Sequence, residues 1–241
     1  VIYPFEKSFY DNAGIPVTYV GHPLFDEIHK EGVDEGFVTE LKNQMGETIV
    51  SFLPGSRRQE IVRLLPLFLQ SAALIHQTIP SAQFLISCSN EQHFDLISGI
   101  TKEFHVPYKI VVGSVHEVIK ASSLCIAGAG TITLQIAYYL KPMIIVYKIS
   151  PFAYFIAKPF LITPFIGLAN KLANKMIVPE RLMCRGNSAW LVNQAIQLLN
   201  NPQKRQACIH ELSLLMNEIA KPGASKHAAD EILTLLGSKL N

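Results

Sequence analysis

The residues Ile49-Val50-Ser51-Phe52-Leu53-Pro54-Gly55-Ser56-Arg57-Arg58-Gln59-Glu60-Ile61 decide how the chain reads. The first five form a short apolar run rich in β-branched and aromatic side chains, the pattern of a buried strand. Pro54-Gly55 ends the run. Ser56 offers an N-cap, and apolar residues then recur at helical spacing at Ile61, Leu64, Leu65, Leu67, Phe68, Ala72, Leu74 and Ile75. The stretch predicts a strand, a tight loop and a helix start. Such a turn can bind an anion. Gly55 lets a ligand approach the backbone, the first helical N–H groups lack intrahelical partners, and the forks of Arg57 and Arg58 match phosphate. A plain βα turn with surface arginines would also explain Pro-Gly-Ser. Cations at a helix start oppose its dipole, however, and a bound anion accounts for them.

Outward from this stretch the chain alternates regularly. Strand 49–53 leads to helix 57–78, strand 83–87 to helix 91–104, and strand 108–112 to a short helix at 115–121. Strand 123–127 leads to helix 131–140, and strand 143–147 follows. Strands alternating with helices predict an α/β fold, a Rossmann-like doubly wound parallel sheet covered on both faces. Helices at 187–200, 203–220 and 223–237 follow, separated by Asn200-Asn201-Pro202 and Lys221-Pro222-Gly223. Upstream, Val1–Pro4 and Val17–Val20 read as strands flanking a helix at Phe5–Asn12, and 25–47 reads as a connector holding one weak helix (Val38, Leu41, Met45). Ligands of such sheets sit beyond the carboxyl ends of the strands, so the loops at 54–57, 112–115, 128–131 and 148–151 mark the expected site.

The second of these loops to carry a signal is Ala127-Gly128-Ala129-Gly130-Thr131-Ile132-Thr133-Leu134-Gln135. Its glycines permit close backbone approach, and the Thr131 and Thr133 hydroxyls could donate to a phosphate. Ala-rich glycine loops are common. Paired with Gly55-Ser56-Arg57 at the same sheet edge, this one gives a second wall for a pyrophosphate. Gln135, a turn into the helix, could bond a ribose hydroxyl or be an ordinary surface glutamine.

Composition excludes several classes. The 241 residues are 49% hydrophobic and 17% charged, enough for a substantial core and too apolar for disorder. A net charge of +2 gives no case for nucleic-acid binding. Cys88, Cys125, Cys184 and Cys208 are scattered among apolar neighbours and the histidines lack ligand spacing, so reduced structural cysteines and no metal are expected. The uncharged run Ala121–Leu140 is long enough for a membrane span, but Gly128, Gly130 and its hydroxyl residues fit a strand, a glycine loop and a helix better. From Lys120 to Met176 there is no Asp or Glu, while Lys120, Lys141, Lys148, Lys158, Lys171 and Lys175 all fall there. Tyr138, Tyr139, Tyr147, Phe152, Tyr154, Phe155, Phe160 and Phe165 interleave with them. Lysines on a solvent face explain much of 131–147. The stretch 152–165, apolar on every side, suits peripheral contact with an anionic membrane surface. The opening at Val1, without Met or a signal sequence, reads as the middle of a protein.

Several segments occur in an order that resembles one family. They are Pro4-Phe5-Glu6-Lys7 with Phe9-Tyr10, Gly21-His22-Pro23-Leu24, Leu53-Pro54-Gly55-Ser56-Arg57 with Glu60-Ile61, Gly130-Thr131 with Thr133-Leu134, Pro142-Met143 with Tyr147-Lys148, and Val178-Pro179-Glu180. Together they resemble lipid-A-disaccharide synthase, an inverting glycosyltransferase of the two-domain GT-B type. The resemblance implies that 1–24 are the last strand–helix–strand of an amino-terminal domain otherwise missing, 48–200 a UDP-sugar-binding Rossmann-like domain, and 201–241 carboxyl-terminal helices. It implies condensation of a UDP-diacylglucosamine donor with a diacylglucosamine 1-phosphate acceptor to a β-1,6 disaccharide and UDP. No cofactor is implied, and the setting would be cytoplasmic, on the inner face of the inner membrane. Gly55, Ser56, Arg57, Gly130, Thr131 and Thr133 would hold the diphosphate. Arg57 would stabilise the leaving group, Asn170 would match the asparagine of a Leu-Pro-Asn segment, and the base would lie upstream of Val1. The sequence departs from the family at Ala129 (usually Ser), Gln135 (usually Glu, the ribose acceptor), Ala169 (usually Pro) and Met183 (usually Gln). Another GT-B UDP-sugar transferase or epimerase, or a non-catalytic UDP-binding relative, remains an alternative.

Overall fold

The computed structural model describes residues 1–149, 164–183 and 188–239. They form two compact units, Val33–Leu212 and a smaller one composed of Val1–Gly32 with Ser213–Asn241.

The larger unit is built on β1 (Ile49–Leu53), every residue of which is buried. Around it lie β2 (Gln83–Cys88), β3 (Tyr108–Val112), β4 (Leu124–Gly128), β5 (Met143–Lys148) and β6 (Glu180–Met183) in the order β3-β2-β1-β4-β5-β6, all pairs parallel. This is the doubly wound Rossmann arrangement expected. Strand side chains alternate between faces, and both faces are packed. On one, Phe52 stacks on Phe84 at 5.5 Å between centroids and on Phe68 of α4 (Arg58–Thr78), also at 5.5 Å. On the other, Ile49, Leu85 and Val111 join Val38, Leu41 and Met45 of α3 (Glu35–Met45) and Val118 and Ala121 of α6 (Val115–Ala121). The stretch expected as a connector therefore holds two helices, α2 (Leu24–Glu31) and α3, and α3 is part of the sheet's core. Ser51, inside β1, is fully buried. Its hydroxyl meets Ser122 Oγ at 2.5 Å, and that hydroxyl donates to the Val118 carbonyl, so no polar group is stranded.

Helix α5 (Phe94–Thr101) follows a single 3-10 turn, Glu91–His93, and stops short of the expected 104. Helix α7 (Ile132–Tyr138) follows β4, and α8 (Leu168–Ala173) and β6 were not expected from the sequence. Cys125 of β4 is sealed in the core, and desolvation pushes its thiol up to about 12, so it is inert packing. Cys184 and the segment 150–163, with Phe152, Tyr154, Phe155, Lys158 and Phe160, lie outside the described residues. The uncharged run Ala121–Leu140 is divided among the end of α6, β4 and α7. Among the described residues no helix is long and apolar enough to cross a membrane. Helices α9 (Ala189–Asn200) and α10 (Pro202–Ile219) continue the chain, and α10 passes from the larger unit into the smaller.

In the smaller unit, α1 (Pro4–Asn12) is capped by Glu6, whose carboxylate accepts the Ile2 and Tyr3 N–H groups. The expected strands Val1–Pro4 and Val17–Val20 are absent. The two segments are joined by isolated bonds, Val1 N to Thr18 O and Val20 N to Val1 O, with no ladder between them. Asp26 accepts the Gly223 and Ser225 N–H groups at the start of α11 (Ala224–Lys239), and these bonds hold its carboxyl below the usual range.

His22 is 9% exposed. Its Nδ1 accepts the Leu24 N–H at 3.0 Å, so Nε2 carries the hydrogen shared with Tyr3 Oη. Burial pushes the ring's pKa down, opposed by Glu27 and Glu6. A folded pKa below the unfolded value means that the unfolded chain binds the extra proton. The stabilisation is then complete above the unfolded value, about 6.5, and is lost as pH falls through it. Between pH 7.5 and 5 the melting temperature of the wild type should fall more steeply than that of His22→Gln. Parallel curves would remove His22 from the account.

Candidate functional site

The site follows from the sheet order. The chain winds from β1 outward through β2 and β3 and then returns to β4 on β1's other side, so the order reverses between β1 and β4, the point beyond whose carboxyl ends ligands of such sheets sit. Leu53 is in register with Ala127, which brings the two glycine loops side by side. Gly128, the last residue of β4, lies so close that a Cβ there would stand 3.0 Å from Leu64 Cδ1 and 3.5 Å from the Pro54 carbonyl oxygen. A side chain here would require the tip of Leu64 to shift by a few tenths of an ångström, so the position favours glycine through close approach and not through positive φ.

In the first loop, Gly55 has φ +118°, and a Cβ would fall 2.1 Å from Glu60 Oε2. Arg57, not Ser56, is the N-cap of α4. It is extended at φ −102°, ψ 139°, and its N–H donates to Glu60 Oε2 at 3.3 Å. Glu60, three residues into the helix, thus accepts the N-cap residue's own N–H, the glutamate half of a capping box, where a serine hydroxyl was expected to accept from the first turn. The Arg57 guanidinium is 83% exposed and lies 3.5 Å from Glu60 Oε1. Arg58 and Ser56 are exposed beside it.

A residue not expected from the sequence joins this loop. His93, in the turn after β2, places Nε2 2.9 Å from the Ser56 carbonyl oxygen. A lone histidine in Ser89-Asn90-Glu91-Gln92-His93 has no spacing signal that could have marked it. Beside it Cys88 donates to the Asn90 carbonyl at 3.0 Å, and burial pushes its thiol up, so it is a neutral packing group.

In the second loop, Gly130 has open space where a Cβ would be, and Thr131 is exposed. Thr133 is different. It is fully buried, and its hydroxyl donates to the Gly130 carbonyl at 2.8 Å. Its one hydrogen is given to the loop's own backbone here, a bond that shapes the loop. Gln135, half-buried on α7, lies one turn beyond.

The lipid-A-disaccharide synthetase family model matches residues 1–232. The chain belongs to that family. A lipid-A-disaccharide synthase 1 of Legionella pneumophila (strain Lens) is 33% identical over 239 residues, 99% of this chain and 62% of the relative. That of Syntrophus aciditrophicus (strain SB) is 32% identical over 237 residues, 98% of this chain and 62% of the relative. The chain thus spans about three-fifths of the length of these curated members of the lipid-A-disaccharide synthetase family. In fold it is similar to the S. aureus MnaA–UDP co-structure, with a TM-score of 0.66 and 12% identity over 97% of this chain and 57% of that one.

Asn170, matched to the asparagine of the Leu-Pro-Asn segment and expected among the nucleotide-binding residues, makes its bonds within the chain. Asn170 is fully buried on α8, and its Nδ2 donates to Val178 O at 2.9 Å and to Glu180 Oε2 at 2.8 Å. Its Oδ1 accepts Ile177 N at 2.8 Å and Val178 N at 3.0 Å. All four bonding positions of the amide are filled within the chain. Glu180, at the start of β6, also accepts the Ile166 and Gly167 N–H groups at 2.7 and 2.9 Å. A Cβ on Gly167 would fall 2.4 Å from Ile145 Cδ1. Asn170, Glu180 and Gly167 form a clasp that fixes the start of α8, which packs against α7, the helix of the second glycine loop.

Proposed function

We propose that this chain provides the donor-nucleotide half of a lipid A disaccharide synthase. In this reading the protein condenses a UDP-linked diacylglucosamine with diacylglucosamine 1-phosphate, forming the β-1,6 disaccharide and releasing UDP with inversion. The observation that carries the reading is the adjacency of the Gly55-Ser56-Arg57 and Gly128–Thr131 loops at the reversal point of the sheet. The diphosphate lies against Gly55, Ser56 and Gly130, with Thr131 as a hydroxyl donor. Gln135 is the ribose partner, an amide where charge would strengthen the bond. Arg57 meets the charge that develops on the departing UDP, where a preorganised cation lowers the barrier most. The group that takes the acceptor's proton is assigned to the part of the relatives' length that these residues do not span. The test is an assay of the full-length protein with the acylated donor and acceptor, beside calorimetry with UDP. Disaccharide and UDP appearing together support the reading. UDP binding without disaccharide points to the epimerase or non-catalytic alternatives, and no UDP binding removes the site.

The acyl chains of both substrates place the reaction at a membrane, and we assign this protein a peripheral place on the inner face of the inner membrane. Among the described lysines of this stretch, Lys120 pairs with Glu35, Lys141 donates to the Ser122 carbonyl at 3.0 Å, and Lys175 pairs with Glu211 at 2.5 Å. The apolar contribution comes from the sequence 152–165, with Tyr147 and Met176, 44% and 62% exposed. Binding to anionic vesicles should exceed binding to neutral ones and weaken with salt. Equal partition onto both would count against it.

A further inference from the structure

We propose that His93 is a positioning residue for the diphosphate loop, holding the Ser56–Arg57 peptide in the orientation that a nucleotide meets. The proposal rests on the donor-site reading above. A peptide unit is planar, so fixing its carbonyl and its N–H fixes the whole unit. Here the Ser56 carbonyl is held by His93 Nε2 at 2.9 Å, and the Arg57 N–H is held by Glu60 Oε2 at 3.3 Å. The two holders come from different places. Glu60 is in the first turn of α4, whereas His93 stands in the turn after the neighbouring strand β2. The loop after β1 is therefore tied sideways to the loop after β2, and the peptide cannot turn over without breaking a bond to one of them.

The consequence lies in preorganisation. The Arg57 side chain is 83% exposed and free to swing from Glu60 to a ligand, but the backbone that carries it is fixed. A loop that must first be ordered binds more weakly by the cost of ordering it. A carbonyl can only accept, so the bond requires hydrogen on Nε2 and nothing more. The neutral Nε2–H tautomer and the imidazolium both satisfy it, and the strap holds in either charge state. Glutamine presents a donor at similar reach; alanine presents none.

The test uses His93→Ala and His93→Gln in the full-length protein with two readouts. Amide exchange across residues 54–58 should rise about fivefold or more in His93→Ala, with the 128–131 loop unchanged. The UDP dissociation constant should rise about 5- to 20-fold, and His93→Gln should bring both readouts back to within about twofold of the wild type. Unchanged exchange in His93→Ala overturns the strap whether or not UDP binds. Increased exchange with an unchanged UDP constant overturns the positioning role. A loss that glutamine does not repair overturns it too, because the imidazole would then act by something other than this bond. A wild type that binds no UDP overturns the donor-site reading and the ligand role of His93 with it.

Discussion

Asn170→Ala is expected to lower stability by about 3–5 kcal/mol. The amide is fully buried and makes four bonds. Alanine strands the Val178 N–H and carbonyl, while the Ile177 N–H keeps the Lys175 carbonyl and Glu180 Oε2 keeps the Gly167 N–H, each with one bond fewer. Each stranded group costs about 1–3 kcal/mol, and relaxation recovers part of it. For a chain of this size the loss corresponds to a melting temperature lower by roughly 6–20 °C. Asn170→Asp should be no rescue, because it replaces the donor to Glu180 with a second carboxylate. A melting temperature within about 2 °C of the wild type would show that the clasp does not hold α8.

Arg57→Ala is expected to leave the melting temperature unchanged and to weaken UDP binding by about 1.5–3 kcal/mol, roughly 10- to 150-fold in dissociation constant. The asymmetry comes from exposure. An ion pair with Glu60 at a side chain 83% exposed contributes little to folding. That weakness makes the guanidinium available, since leaving Glu60 for a diphosphate sacrifices almost nothing. Arg57→Lys should recover only part of the loss, because an ammonium cannot make the paired contact of a planar fork. Calorimetry with UDP decides it, and an unchanged constant in Arg57→Ala would move the diphosphate elsewhere.

These two residues show where sequence reading reached and where it stopped. The strands of the parallel sheet were legible because both faces are buried, which leaves runs such as Met143–Val146 without a polar interruption. Strand β6 was not, since Glu180-Arg181-Leu182-Met183 pairs only with β5 at the sheet's edge and need not be apolar. Val1–Tyr3 and Val17–Val20 carry the β-branched signal without a ladder, because propensity yields to the pairing actually available. At the site, Gly55, Arg57 and Gly128 could be placed from the turn chemistry of a βα unit. Ser56 was favoured as the cap, but the capping carboxylate came from Glu60, one turn inside. Thr133 and Asn170 carry the right chemistry for a ligand, yet burial turns both inward, and no local pattern reports burial of one side chain. His93 reaches its partner across two strands, beyond the range of any spacing rule.

The register of β1 carries a consequence for the order in which the protein matures. On one side it pairs with β2, Val50 facing Phe84, and on the other with β4, Val50 facing Leu124. The second pairing closes a much longer loop, and contacts distant in sequence form late because chain entropy must be overcome before they stabilise anything. A nascent chain that has docked β1, β2 and β3 already carries the Arg57 loop and the His93 turn, but no opposing glycine wall. The crevice comes into being only when β4 slides in beside β1. Nucleotide affinity should therefore switch on with the docking of β4, so that a fluorescent uridine nucleotide added during refolding would time that step.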